Sequence, residues 1–354
     1  MPYTETTEQQ EGLLAQRAAE AEAYLSAVAD QADGKRQAAW ALPAGTTAEQ
    51  YPKLAAAHRR RLRAMLGYPP PGRRLRAAPK LQELGADEDG TWYRVTMPLL
   101  AEGLTAYGLL IRPRQPAAGR ALAVAIHGGG GSPELAAELL GPTNYNNLGR
   151  RLARRGHVVW MPACLERTSF DPQAPPRDLH RILDQRARLV GTSLPALDAL
   201  VMVETTRAML AREGAPGGRA LAVGLSYGGF RSLLVSALSD LFGACVSSCY
   251  VQDRREFLEA WSETGGFWDW FFPGCLRVAT DVELAALVCP RPLFVELGRQ
   301  DELFPPEKAE RSLGEMRERY AALGVPERCG WDFFTGGHEF SGEKAWQWLE
   351  ERGW

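Results

Sequence analysis

The chain has 354 residues, 45% hydrophobic and 24% charged, a globular composition that suits one large α/β domain with an appendage. A formal net charge of −2 lacks the basic excess that phosphate recognition needs, which argues against a nucleic-acid partner. The chain begins polar, has no apolar run long enough to span a membrane, and carries six cysteines (Cys164, Cys245, Cys249, Cys275, Cys289, Cys329) without C-x-x-C spacing. The expectation is a cytoplasmic protein with small buried thiols, no metal and no membrane contact.

Residues 11–30 carry Leu14, Ala18, Ala21, Leu25 and Val28 at alternating steps of four and three, which predicts an amphipathic helix. A second helical stretch over 47–66 ends at Gly67, and Tyr68-Pro-Pro-Pro-Gly72 then breaks regular structure. Its arginine-rich run, His58 to Arg63, reads as a solvated helix face. Residues 1–72 therefore form a helical appendage and linker, too poor in apolar side chains to fold alone and expected to pack on the main domain, 73–354.

From about residue 90 the rhythm changes. Residues 91–97 and 104–111 read as neighbouring, antiparallel strands. Further strands follow at 121–126, 157–161, 219–224, 244–248, 292–296 and 331–334. Helices are expected between them at 147–155, 193–212, 229–238 and 306–323, with a closing helix at 342–350. Nearly all-apolar strands alternating with helices predict a mostly parallel, doubly wound sheet of the eight-stranded type, covered on both faces. Ligands on such sheets bind beyond the carboxyl ends of the strands.

The chemically suggestive residues fall at those ends. Gly224-Leu-Ser226-Tyr-Gly228-Gly229 fits the G-x-S-x-G elbow, in which glycines flank a serine on a turn too tight for their β-carbons. A serine hydroxyl needs a base to act as a nucleophile at neutral pH. Of His58, His127, His157, His180 and His338, only His338 lies in a loop of small residues after a late strand, Thr335-Gly-Gly-His338-Glu-Phe340. Asp301 follows the strand 292–296 and is the favoured carboxylate to orient that histidine, with Glu302 and Asp253 as rivals. Two backbone amides would form an oxyanion hole. One is that of Tyr227, and the other comes from Gly128 or Gly129 in Ile126-His127-Gly-Gly-Gly-Gly131, where His127 is assigned to ordering the loop.

These four segments, in this order and spacing, resemble the α/β-hydrolase superfamily over roughly residues 90–352, and most of all its dienelactone-hydrolase, acetyl-xylan-esterase and prolyl-oligopeptidase-like branch. The resemblance implies a cofactor-free enzyme with the triad Ser226, Asp301 and His338. Dienelactone hydrolases proper use a cysteine where this elbow has Ser226. The β-propeller of the oligopeptidases has no counterpart in the residues that precede the core. A serine esterase acting on short-acyl or acetyl esters, of a carbohydrate or a small metabolite, is therefore the first reading. A serine peptidase or aminoacyl amidase is the second.

An insertion over about 251–290 holds six large aromatics within residues 261–272. In this fold it lies near the site mouth, so Trp261, Trp268 and Trp270 are candidate substrate contacts for sugar rings or acyl groups, the alternative being that they simply bury the insertion. Arg167, Arg177 and Arg181 are weaker candidates for receiving a carboxylate. The expected partner is a small ester, and a homo-oligomer is compatible with the sequence.

Overall fold

The structure is a computed structural model that describes residues 3–166, 179–256, 259 and 272–354. Nine strands form one sheet in the order β1-β2-β3-β5-β4-β6-β7-β8-β9. Strands β1 (Lys80–Ala86), β2 (Gly90–Pro98) and β3 (Thr105–Pro113) are antiparallel, and β3 pairs antiparallel with β5 (Val159–Pro162). From β5 onward, through β4 (Leu122–Ile126), β6 (Ala220–Leu225), β7 (Phe242–Ser248), β8 (Leu293–Gly298) and β9 (Cys329–Phe334), all pairings are parallel. This is the α/β-hydrolase fold, with one more strand than expected. The additional β1 reads Lys-Leu-Gln-Glu-Leu-Gly-Ala and is exposed along most of its length. It is an edge strand held by pairing to β2, with a register shift at Glu83/Gly85, so no apolar alternation announces it.

Alternating side chains send the strands into two cores. Leu122, Val124 and Ile126 pack on one face with helices α2 (Tyr51–Leu66), α6 (Leu194–Glu213) and α7 (Tyr227–Leu238), while Ala123 and Ala125 pack on the other with α4 (Leu148–Arg154) and the closing helix Glu343–Glu350. Both faces are covered, as the near-continuous apolar strands require. All six cysteines are free and buried. Among the described residues no helix is long and apolar enough to cross a membrane.

The amino-terminal helices behave differently from one another. Helix α2 buries Tyr51, Ala55, Leu62 and Leu66, as an appendage packed on the main body should. Its arginine run is only partly a solvated face. Arg59 and Arg63 donate to the carbonyl oxygens of Ala237 (2.9 Å) and Leu238 (2.7 Å), where the carboxyl end of α7 presents partial negative charge. Helix α1 (Thr7–Ala39) starts from a capping box of Thr6 and Gln9 and runs beyond the expected residues 11–30, yet Ala32 and Arg36 are its only buried residues. From Thr7 to Val28 its residues are all exposed. A helix at Asp281–Val288, inside the stretch taken for an insertion, was also not anticipated.

Candidate active site

Between β6 and α7 the backbone of Ser226 takes φ 60°, ψ −126°, a left-handed conformation that a non-glycine residue holds only under constraint. The glycine requirement is visible at two positions. A β-carbon on Gly224 would lie 2.2 Å from the Gly228 carbonyl oxygen, and one on Gly228 would lie 2.1 Å from that of Ile126. Ser226 N–H donates to the Ser248 carbonyl at the end of β7 (2.8 Å), which ties the elbow to the neighbouring strand.

His338 and Asp301 meet. The imidazole Nδ1 lies 2.8 Å from Asp301 Oδ2, and the other carboxylate oxygen accepts the amides of Leu303 (2.9 Å) and Phe304 (3.0 Å). Burial alone would raise the Asp301 pKa. The hydrogen bond and charge of His338, with the Phe304 amide, overcome that and hold it below the ordinary value. An ionised Asp301 fixes the proton on Nδ1 and leaves Nε2 bare, the tautomer a base requires. Phe304 stacks on the imidazole with centroids 5.5 Å apart. The rival Glu302 is exposed, and Asp253 instead accepts the amide of Arg255. Beside the dyad, Cys249 follows Ser248 and its thiol donates to the Glu339 carbonyl (3.3 Å). Burial pushes that thiol's pKa far up, which favours its protonated form. Through Ser248 and Cys249 the elbow and the histidine loop share one support. Among the described residues the Ser226 hydroxyl has no hydrogen-bond partner, a looseness common before substrate binds.

Gly128 N–H donates to Tyr145 Oη (2.7 Å), Gly130 N–H to Glu166 Oε2 (2.8 Å) and Gly131 N–H to the Gly128 carbonyl (3.1 Å). Gly128 is thus engaged in this structure, and Gly129 is the loop glycine whose amide has no partner among the described residues; it is exposed, with open space where its β-carbon would stand. His127 orders the loop, as expected. Its Nε2 accepts the Cys164 amide (2.9 Å) and its Nδ1 lies 3.0 Å from the Gly128 carbonyl, a neutral tautomer that burial, assisted by Arg231, favours by lowering the pKa to about 4.

Three supports were not foreseen. Beneath the glycine loop, fully buried Arg231 of α7 holds Asp198 of α6 (2.6 Å), Glu166 and the His127 carbonyl, and Glu166 in turn holds Gly130. Beside it, the segment Thr143–Asn147 bridges the two halves of the site. Tyr145 holds Gly128, while Asn144 Nδ2 donates to the His338 carbonyl (2.9 Å) and Asn146 Nδ2 to Glu339 Oε2 (2.9 Å) and the Phe340 carbonyl (3.0 Å). From below, the buried Glu296 carboxylate accepts Ser248 Oγ–H (2.8 Å) and the amides of Ser341 (3.1 Å) and Gly342 (2.8 Å). The candidate substrate contacts Trp261, Trp268 and Trp270 lie outside the described residues, as do Arg167 and Arg177.

No protein-family model matches this sequence, and no curated protein matches it. Solved structures do. A Bacteroides fragilis protein described as a candidate acetyl xylan esterase superposes with a TM-score of 0.72 at 13% identity, over 93% of this chain and 94% of its own. A glucuronoyl esterase from Solibacter usitatus gives 0.62 at 13% identity, over 89% and 98%. An acetyl xylan esterase from Paenibacillus sp. R4 gives 0.54 at 17% identity, over 88% and 96%. At these identities the likeness is one of fold.

Proposed function

We propose that this α/β-hydrolase chain is a serine carboxylester hydrolase acting on an ester of a carbohydrate, with Ser226 as nucleophile, His338 as base and Asp301 as the residue that orients it. The observation that carries the reading is the His338–Asp301 contact (2.8 Å) in loops after β8 and β9, at the same carboxyl edge of the sheet where a strained serine follows β6. Ser226 Oγ attacks the acyl carbon while His338 Nε2 takes its proton. The amides of Tyr227, at the amino end of α7, and of Gly129 stabilise the oxyanion. His338 then returns the proton to the leaving alcohol, and water released onto the acyl-enzyme by the same base completes the cycle.

Carbohydrate esters are favoured because the neighbours of similar size are acetyl xylan and glucuronoyl esterases, and none of the three reported is a peptidase. A panel of acetylated sugars, methyl glucuronate esters, p-nitrophenyl esters and aminoacyl amides tests the reading. Ester cleavage that disappears in Ser226→Ala is expected. Turnover of the amides alone would reject it in favour of a peptidase.

A further inference from the structure

Cys249 stands beside the His338–Asp301 pair, yet no step of the proposed hydrolysis uses its sulfur. Its backbone holds φ 49°, a left-handed conformation, and its N–H donates to the Glu296 carbonyl of β8 (2.7 Å), so the direction in which the thiol leaves the sheet is fixed. That direction is toward the pair. Ligand atoms of Cys249, Asp301 and His338 all lie within 4.8 Å of one another, and among the described residues this is the one place where three such side chains converge. Cys249 and Asp301 are buried, whereas the His338 side chain is 19% exposed, so the group opens to solvent on the imidazole side.

We propose that Cys249, Asp301 and His338 form an inhibitory site for Zn²⁺ or a similarly soft divalent cation. A thiolate and an imidazole select such an ion over Mg²⁺ and Ca²⁺, which take oxygen ligands, and three protein donors with a fourth position left to water make a common zinc shell. Zinc bonds of about 2.0–2.3 Å at tetrahedral angles hold neighbouring donors about 3.3–3.6 Å apart. His338 Nδ1 and Asp301 Oδ2, now 2.8 Å apart, must separate by roughly 0.5 Å, and the widest pair, at most 4.8 Å, must close by no more than about 1.5 Å. Side-chain rotations supply shifts of that size. The Glu339 carbonyl oxygen, 3.3 Å from the sulfur, is a further donor within reach of the ion.

On binding, the ion sheds water molecules and the Cys249 thiol gives its proton to solvent. The imidazole loses its proton at Nδ1 and takes one up at Nε2, so one proton is released in all. One carboxylate and one thiolate neutralise the dication, which offsets the burial that otherwise keeps the thiol protonated. Two parts of the catalytic arrangement are then lost. Nδ1 no longer donates to Asp301, and Nε2 carries a proton and cannot accept that of Ser226. The inhibition rests on the reading of His338 as the base, whereas the binding of the ion does not.

Cd²⁺ added to the intact chain tests the site, because a Cd²⁺–thiolate bond has its own ultraviolet charge-transfer band. One equivalent should produce the band in wild type and in Ser226→Ala but not in Cys249→Ala, which retains the other five buried cysteines as an internal control. Zn²⁺ in the micromolar range should lower kcat for the best ester and EDTA should restore it, while Mg²⁺ and Ca²⁺ leave it unchanged. Cys249→Ala and the closely isosteric Cys249→Ser, each compared with its own metal-free rate, should need at least about tenfold more Zn²⁺. No band in wild type, a band that survives in Cys249→Ala, or equal zinc sensitivity in both variants would overturn the proposal. A band in a protein that cleaves no ester would support the metal site and count against the hydrolase reading instead.

Discussion

Glu296 links the histidine loop to the sheet, and replacing it with glutamine has a consequence that depends on pH. Burial raises its pKa from 4.5 to about 7, although Ser248 and the amides of Gly342 and Ser341 pull the other way. The unfolded chain therefore releases this proton earlier than the folded one does. Glu296 contributes its full stability below pH 4.5 and loses it as the pH rises toward 7; carrying the group from 4.5 to about 7 corresponds to about 3 kcal/mol. Glutamine does not titrate. It can keep one oxygen as acceptor for Ser248 and Ser341 but turns an N–H toward the Gly342 amide, a pH-independent cost of about 1–3 kcal/mol. Urea midpoints of wild type and Glu296→Gln, converted to free energy at several pH values between 4.5 and 8, isolate the titration. The variant should be the less stable protein at the acid end, and the gap should close or reverse by about 3 kcal/mol toward pH 8. Parallel curves for the two proteins would show that Glu296 does not titrate in this window and that the reasoning from its burial is wrong.

Other substitutions test the supports of the site. Arg231→Met strands Asp198 and Glu166 as buried charges and should cost about 3–5 kcal/mol of stability, read as a drop in the urea midpoint. Tyr145→Phe leaves the buried Gly128 amide without an acceptor beside Ser226; with a penalty of about 1–3 kcal/mol, kcat on the best ester should fall between a few-fold and about 100-fold, with little change in KM.

The fold was legible because its parallel strands are nearly all apolar, so periodicity, order and layer arrangement follow from the chain. The edge strand β1 was not, since Lys80–Ala86 takes its conformation from pairing with β2 rather than from its own side chains. The elbow, His338 and Asp301 were readable for a related reason: each sits on a turn with a steric or chemical signature. Which glycine amide stays open was not readable, because that depends on Tyr145 reaching Gly128 from another loop. The supports did leave a trace. Arg231 and Glu296 are the lone charges of α7 and β8, and Asp198 is the one charge in the apolar first half of α6, residues 194–203; a charge there must be paired when the element is buried. Their partners, distant in sequence, required the structure.

The assignment of Ser226 is tested most directly by treating the intact protein with a fluorophosphonate and locating the adduct by mass spectrometry. A single phosphonyl group on the peptide containing Ser226, formed quickly by wild type and far more slowly by His338→Ala, is the predicted result. Labelling at another residue, or equal rates with and without the imidazole, would contradict it.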